Sequence, residues 1–487
     1  MSNIIRKTEP DEILNYLEDT SNYRYGTAKE VIFPTNEKDV IEILVDYANK
    51  NIPLTISGAG TGTVAGRIPT DGGILATDNL NNILKIDKLN KIVVVQPGVR
   101  IETLLNELQN YNLFHAVYPT EKLSFIGGNV STNASGEYSF KYGSIRKYIR
   151  RINVVLSTGQ VLKIKRGDNI ANSEGIINFD NFKLKIPNYI SPNIKSSAGY
   201  FSRPNMDLID LFIGSEGTLG VITEIELFVI DYPKPGFGLI IFFGDENSLF
   251  SFFESVKRNV KEKNKYINPL CLEYLDKFSL EFLKHDYPNI PTGAIGAIFL
   301  EQEYIDNNNN VYIDKWQELC DKYNPIDIWF AEGDSAREKF MFFRYKLPQN
   351  INEYFRKNKM VKFSIDIAVP EKHFREMFRF YKEKIENTDI NYVLFGHIGE
   401  NHVHFNLFPK NELEKEQAQK IYVESVLKAV SVGGTVAAEH GIGKLKHKYL
   451  EMMYGKEGVM EMVRIKKIFD PKCILGQNNI FPVTYLK

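Results

Sequence analysis

Pro53-Leu54-Thr55-Ile56-Ser57-Gly58-Ala59-Gly60-Thr61-Gly62-Thr63-Val64-Ala65-Gly66 is the stretch on which the fold turns: four glycines and three threonines within one segment, entered through a strand-like run. Glycine lets consecutive backbone N–H groups converge on an anion and hydroxyls add further donors, which is what a pyrophosphate requires. The segment is not a P-loop, because Gly-Lys-Ser/Thr is missing, nor a Rossmann fingerprint, because no acidic residue follows on the next strand. Alone, it fits a bland mobile turn as well as a phosphate cradle.

Two more segments of the same kind lie downstream. Phe125-Ile126-Gly127-Gly128-Asn129-Val130-Ser131-Thr132-Asn133-Ala134-Ser135-Gly136 leads to Lys141-Tyr142-Gly143. Small residues persist there over a whole segment, as expected where backbone must closely approach something flat or bulky. Ile213-Gly214-Ser215-Glu216-Gly217-Thr218-Leu219-Gly220-Val221-Ile222-Thr223-Glu224 combines a tight turn with a strand entry, and by itself also reads as a β-hairpin.

Around these loops, residues 31–230 alternate short β-branched runs with amphipathic helices. Val31-Ile32-Phe33 reads as a strand, Asn36 with Asp39 as a helix start, and Val40, Ile41, Leu44, Val45 and Ala48 as that helix's apolar face. A second helix uses Ile101, Leu104, Leu105 and Leu108. Proline and glycine interrupt the pattern at residues 232–238, and a glycine cluster recurs after residue 431. The expected division is therefore 1–231, 232–430 and 431–487. Residues 256–265 form a basic run that reads as a solvated helix face.

The chain has 487 residues, ample for two or three cores, and 60 basic against 61 acidic residues, which gives no field to draw it to nucleic acid. Cys271, Cys320 and Cys473 lack the spacing of a zinc ribbon or a redox dithiol, so a reducing, cytoplasmic setting is expected. No apolar run is long enough to cross a bilayer and no export signal is expected, leaving at most peripheral membrane contact.

In this order the three loops resemble the FAD-binding domain of the vanillyl-alcohol oxidase superfamily (PCMH-type), in particular its D-lactate, glycolate and D-2-hydroxyglutarate dehydrogenase branch, over roughly residues 31–481. The resemblance implies an α+β protein: a two-subdomain FAD-binding domain, a cap domain built on an antiparallel sheet, and a C-terminal helical segment. It carries cofactor contacts onto Gly58, Ala59, Gly60, Thr61, Gly62, Thr63, Pro119, Gly127, Gly128, Asn129, Thr132, Ser135, Tyr142, Gly143, Gly217, Gly220, Val221 and Ile222. Covalent members attach the flavin through a histidine in the first loop; here no histidine precedes His115, so the FAD is expected to be noncovalent. The family's arginine ahead of that loop is Ser57.

Phe395-Gly396-His397-Ile398-Gly399-Glu400-Asn401-His402-Val403-His404-Phe405-Asn406-Leu407 holds three of the chain's eight histidines. On a strand, His402, His404 and Asn406 share one face, and an apolar core would not tolerate that face unpaired. Ala438-Glu439-His440-Gly441-Ile442-Gly443 sets a carboxylate beside another imidazole. Imidazole with carboxylate suits a divalent metal such as zinc or manganese. The resemblance implies that His397, His404 and Glu439 bind the metal and that His440 takes the substrate's hydroxyl proton. Where the family has Asp-Gly-Asn this chain has Glu400-Asn401-His402, so His402 is open as a fourth metal ligand, a catalytic substrate contact or a replacement for the asparagine.

Arg344, among aromatic neighbours, resembles the family's substrate-binding arginine, whereas Arg337 reads as a solvated helix face and Asp366 as structural. The expected activity is oxidation of a D-2-hydroxy acid to the 2-oxo acid, with hydride passing to flavin N5 and on to a quinone or an electron-transferring flavoprotein. The assembly open to it is a homodimer. Two other readings are a redox-neutral transferase like alkyl-dihydroxyacetone phosphate synthase, and a noncatalytic flavoprotein subunit.

Overall fold

The computed structural model describes residues 4–179, 182–358, 360 and 363–486. It forms two compact units, Met1–Gly136 with Ser144–Tyr232 and Val436–Lys487, and Glu137–Gly143 with Pro233–Thr435. Among the described residues no helix is long and apolar enough to cross a membrane.

The first unit holds two principal sheets. In one, Glu30–Phe33 and Leu54–Ser57 run parallel to Gly73–Ala76 between them, and Ile5–Lys7 adds an antiparallel edge. The parallel pairing requires a crossover, supplied by helix Glu37–Lys50. Asn36 caps that helix by accepting from the Asp39 N–H at 3.0 Å, and left-handed Asn51 ends it. Its buried face is Val40, Ile43, Leu44, Tyr47 and Ala48; Ile41 and Val45, expected inside, are half-buried. The face is turned because Tyr47 reaches inward, its hydroxyl donating to Glu30 at 2.7 Å. The other sheet is antiparallel, in the order Ile83–Asp87, Ile92–Val95, Val221–Phe228, Ile149–Val155, Val161–Lys165.

The second unit is one seven-stranded antiparallel sheet. The order runs Asp327–Glu332, Gly236–Phe243, Gly296–Glu303, Cys271–Asp276, Asn391–Gly396, His402–Phe408, Phe363–Ala368. Gly236–Phe243 is buried along its whole length, which is why it reads as a continuous apolar run rather than an alternation. Leu280, Leu283, Phe343, Leu347, Ile351 and Phe355 from helices Lys277–Leu283 and Asp334–Lys357 pack with Ile240, Phe242, Ala297 and Phe299 of the sheet. The basic run is solvated as expected at Arg258, Lys261, Lys263 and Lys265, all exposed, with Lys257 the exception. Val256 and Lys257 of helix Glu246–Lys261 are buried, and Lys257 Nζ donates to Asn401 Oδ1 at 2.6 Å.

Candidate functional site

The three glycine-rich segments meet within the first unit. Ser57 ends the strand Leu54–Ser57 and residues 58–63 emerge part-exposed, with Gly60 at φ 81°. Arg67 supports this turn from behind. Its Nη1 donates to Gly58 O at 2.9 Å, its guanidinium lies 5.3 Å from the Tyr16 ring, and a Cβ on Gly60 would stand 2.5 Å from Nη1. This support from downstream of Ser57 was not anticipated from the sequence.

The second segment, read as a loop, folds as a short helix, Ile126–Ser131, because Gly127 N–H bonds Pro97 O at 2.8 Å and its Cα packs on that proline. Gly128 faces open space, with no atom within 4 Å of a Cβ position. The neighbouring Asn129 amide nitrogen is buried without a partner among the described residues. Thr132 Oγ1 donates to Gly128 O at 3.0 Å, Ser135 is buried and Pro119 half-buried.

In the third segment Glu216 N–H bonds Ser131 O at 2.8 Å and Gly214 N–H bonds Val130 O at 2.9 Å, which locks it to the second. Gly217 has φ 71°, whereas Gly220 serves packing, since a Cβ there would stand 2.5 Å from Val154. Val221 and Ile222 are buried in the strand. Tyr142 and Gly143, the other expected contacts, belong to the second unit. Open glycine backbone beside an unpartnered buried amide fits a flavin dinucleotide.

Residues 436–480 complete this unit. The Glu216 carboxylate accepts from Ile442 N–H at 2.8 Å and Gly443 N–H at 2.7 Å, and burial pushes it up to about 7. Lys444 Nζ reaches Ala65 O at 3.2 Å and Asn479 Oδ1 at 2.6 Å, and burial lowers it to about 8. Asn479 Nδ2 donates to Gly66 O at 2.7 Å and Glu216 O at 3.0 Å, so one side chain ties the first segment to the third. Glu439 pairs with buried Lys195 at 2.5 Å, a partner no sequence feature marked, and His440 beside it is half-buried. Gly441 N–H donates to Ser197 Oγ at 3.0 Å, holding the Glu439-His440 turn.

The second unit brings three imidazoles together. His402 and His404 occupy alternate positions of strand His402–Phe408, and His397 sits on the preceding turn, whose reversal uses left-handed Asn401. The candidate ligand atoms of His397, His402 and His404 lie within 4.8 Å of one another. Carboxylates stand beside two of the rings: Glu273 Oε1 hydrogen-bonds with His397 Nδ1 at 2.8 Å, and Asp366 Oδ1 lies 3.0 Å from His402 Nε2. Glu273 was not singled out from sequence; the signal was an acid within the apolar strand Cys271–Asp276. Clustered imidazoles held by carboxylates fit a borderline divalent cation.

Arg344 projects from helix Asp334–Lys357 to Glu273 at 3.4 Å. Burial opposes its charge, but Glu273 and Glu137 outweigh that and hold its pKa above the ordinary arginine value. Arg337 is not the solvated residue expected. It pairs with Glu301 at 2.8 Å, its side chain 12% exposed. The stretch Glu137–Gly143 is tied in beside them, Tyr138 to Glu301 at 3.2 Å, Lys141 to Glu303 at 2.5 Å and Tyr345 to Glu137 at 2.5 Å.

The first unit is thus glycine-lined and open to a dinucleotide, and the second is a sheet-based unit rich in imidazole. Residues 28–165 match the family described as FAD binding domain, and residues 247–480 match FAD linked oxidases, C-terminal domain. The chain is 30% identical over 474 residues to a D-lactate dehydrogenase of Anaerostipes hadrus, covering 94% of this chain and 90% of that one. It is 29% identical over 478 residues to glycolate oxidase subunit GlcD of Bacillus subtilis, covering 96% and 92%. The solved structure of p-cresol methylhydroxylase superposes with TM-score 0.71 at 16% identity, covering 98% of this chain and 94% of that one. That of alkyldihydroxyacetonephosphate synthase superposes with TM-score 0.69 at 14% identity, covering 97% and 81%. These two likenesses show the PCMH-type fold alone. The chain belongs to the FAD-linked oxidoreductase family of the D-lactate, glycolate and D-2-hydroxyglutarate dehydrogenases.

Proposed function

We propose that the protein oxidises a D-2-hydroxy acid, D-lactate or a relative, to the 2-oxo acid with noncovalent FAD and a divalent metal. The observation that carries this reading is the trio His397, His402 and His404, two of its rings beside buried carboxylates, in a chain of an FAD-linked family. His397, His404 and Glu439 are the proposed metal ligands. A bound cation would acidify the substrate hydroxyl and a bound flavin would accept the hydride. His440 takes the hydroxyl proton as general base, and its place on a turn pinned by Ser197 fixes the backbone that carries it. Arg344, whose charge Glu273 and Glu137 sustain, meets the substrate carboxylate. Electrons then leave to a quinone or an electron-transferring flavoprotein. Three buried cysteines, all free thiols, fit a reducing, cytoplasmic compartment.

The transferase reading has a likeness of fold and no site observation in its favour. The test is anaerobic flavin bleaching by a panel of D- and L-2-hydroxy acids, before and after chelation. Bleaching by a D-acid that is lost on chelation and restored by zinc or manganese is expected. Bleaching indifferent to chelation refutes the metal, and a protein that no 2-hydroxy acid reduces refutes the substrate class.

A further inference from the structure

His402 stands where the family pattern has asparagine, and its surroundings are those of a ligand rather than a spacer. The ring is completely buried, and so is its carboxylate partner Asp366. Asp366 Oδ1 lies 3.0 Å from Nε2, and the ring offers a nitrogen within 4.8 Å of the candidate ligand atoms of His397 and His404. In the same cluster Glu273 hydrogen-bonds His397 Nδ1 at 2.8 Å, so a carboxylate stands beside each of two rings whose candidate ligand atoms lie close together. The register makes room for it: His402 pairs across the sheet with Ala368, while Asp366 pairs with His404, placing the carboxylate one alternate position away on the same face. The ring centroids of His402 and His404 are 4.6 Å apart and those of His402 and His397 5.5 Å.

We infer that His402 is a third imidazole ligand, completing with His397 and His404 a three-nitrogen face that selects zinc over manganese. The inference rests on the metal reading above and sharpens it. Neutral imidazole donors suit zinc, whereas oxygen donors suit manganese, so exchanging an amide for an imidazole shifts the preference. Asp366 is then a positioning residue that acts through His402.

The FAD-loaded protein, stripped with chelator, is titrated with zinc chloride and with manganese chloride, and the zinc form is studied by X-ray absorption. Three imidazoles around zinc are expected in the unaltered protein; two overturn the inference and leave the metal reading standing, whereas failure to take up zinc at all overturns both. His402→Asn should weaken zinc more than Asp366→Asn, for which loss of an outer carboxylate gives about 10–100-fold. Manganese affinity and FAD content should hardly change. Zinc binding by His402→Asn as tight as in the unaltered protein overturns the inference, while His404→Ala, which should abolish zinc uptake on either view, shows that the titration reads this site.

Discussion

Glu216 offers a quantitative handle on the first unit. Burial drives its carboxyl up to about 7 from an ordinary 4.5, against the pull of the Ile442 and Gly443 N–H groups. The folded state therefore keeps the proton more tightly than the unfolded chain. Below about pH 4.5 both states are protonated and nothing changes. Between there and about pH 7 the folded state holds the extra proton, so stability falls by about 1.4 kcal/mol per pH unit, then levels off. The gap of about 2.5 pH units amounts to a loss of about 3 kcal/mol from this one group. Glu216→Gln cannot ionise and should lack that component, while turning an amide N–H2 toward a backbone N–H at a roughly constant cost of about 1–3 kcal/mol. The assay is urea unfolding of apoprotein and variant from pH 4.5 to 8. It is followed by circular dichroism because Trp316 and Trp329, the chain's two tryptophans, lie in the second unit. The difference between the two proteins should move by about 3 kcal/mol in the variant's favour as pH rises. Parallel curves would refute the assignment of a raised carboxyl.

Three further outcomes follow from the geometry. Gly60→Ala forces a side chain onto φ 81° and against Arg67 at 2.5 Å, a strain of about 1–3 kcal/mol, so FAD should dissociate about tenfold more readily in flavin-fluorescence titrations; unchanged affinity would detach this turn from the cofactor. Asn129→Ala removes a buried donor worth about 1 kcal/mol, and equilibrium dialysis should show FAD binding about fivefold weaker; equal retention would show that its amide meets no flavin atom. Gly396→Ala places a Cβ 2.9 Å from His404 Cδ2 at φ 116°, so it should leave FAD content intact yet slow substrate bleaching about tenfold or more, and full-speed bleaching would mean the His404 ring is not set by this contact.

The flavin fold was legible through the resemblance that three glycine-rich segments, taken in order, bear to a known family; glycine density alone marked only close backbone approach. The clustered histidines were visible for a related reason: alternation on a strand predicts a shared face, and His402 and His404 share one. What escaped was whatever depends on partners distant in sequence. Arg67 braces the first glycine turn through the Gly58 carbonyl, and no local pattern announces that. Arg337 and Lys257 look like surface cations in a window of ten residues, yet Glu301 and Asn401 bury them from 36 and 144 positions away. Glu273 hid in an apolar strand because an acid there reads as noise until the imidazole facing it is known.

Asn479 also bears on how the chain comes to be assembled. Its amide joins Gly66, 413 positions earlier, and Leu54 N–H bonds Ile474 O at 2.8 Å while Gly476 N–H returns to Leu54 O at 3.0 Å. During synthesis the glycine turn near residue 60 emerges early, but its tether appears only after the whole second unit has been made. Nascent chains must therefore wait with an open turn and an unclosed sheet edge, a period in which a prematurely bound dinucleotide has little to hold it. Translation stalled before residue 470 should leave ribosome-bound chains that are folded in the second unit and colourless, the yellow appearing only with the final stretch.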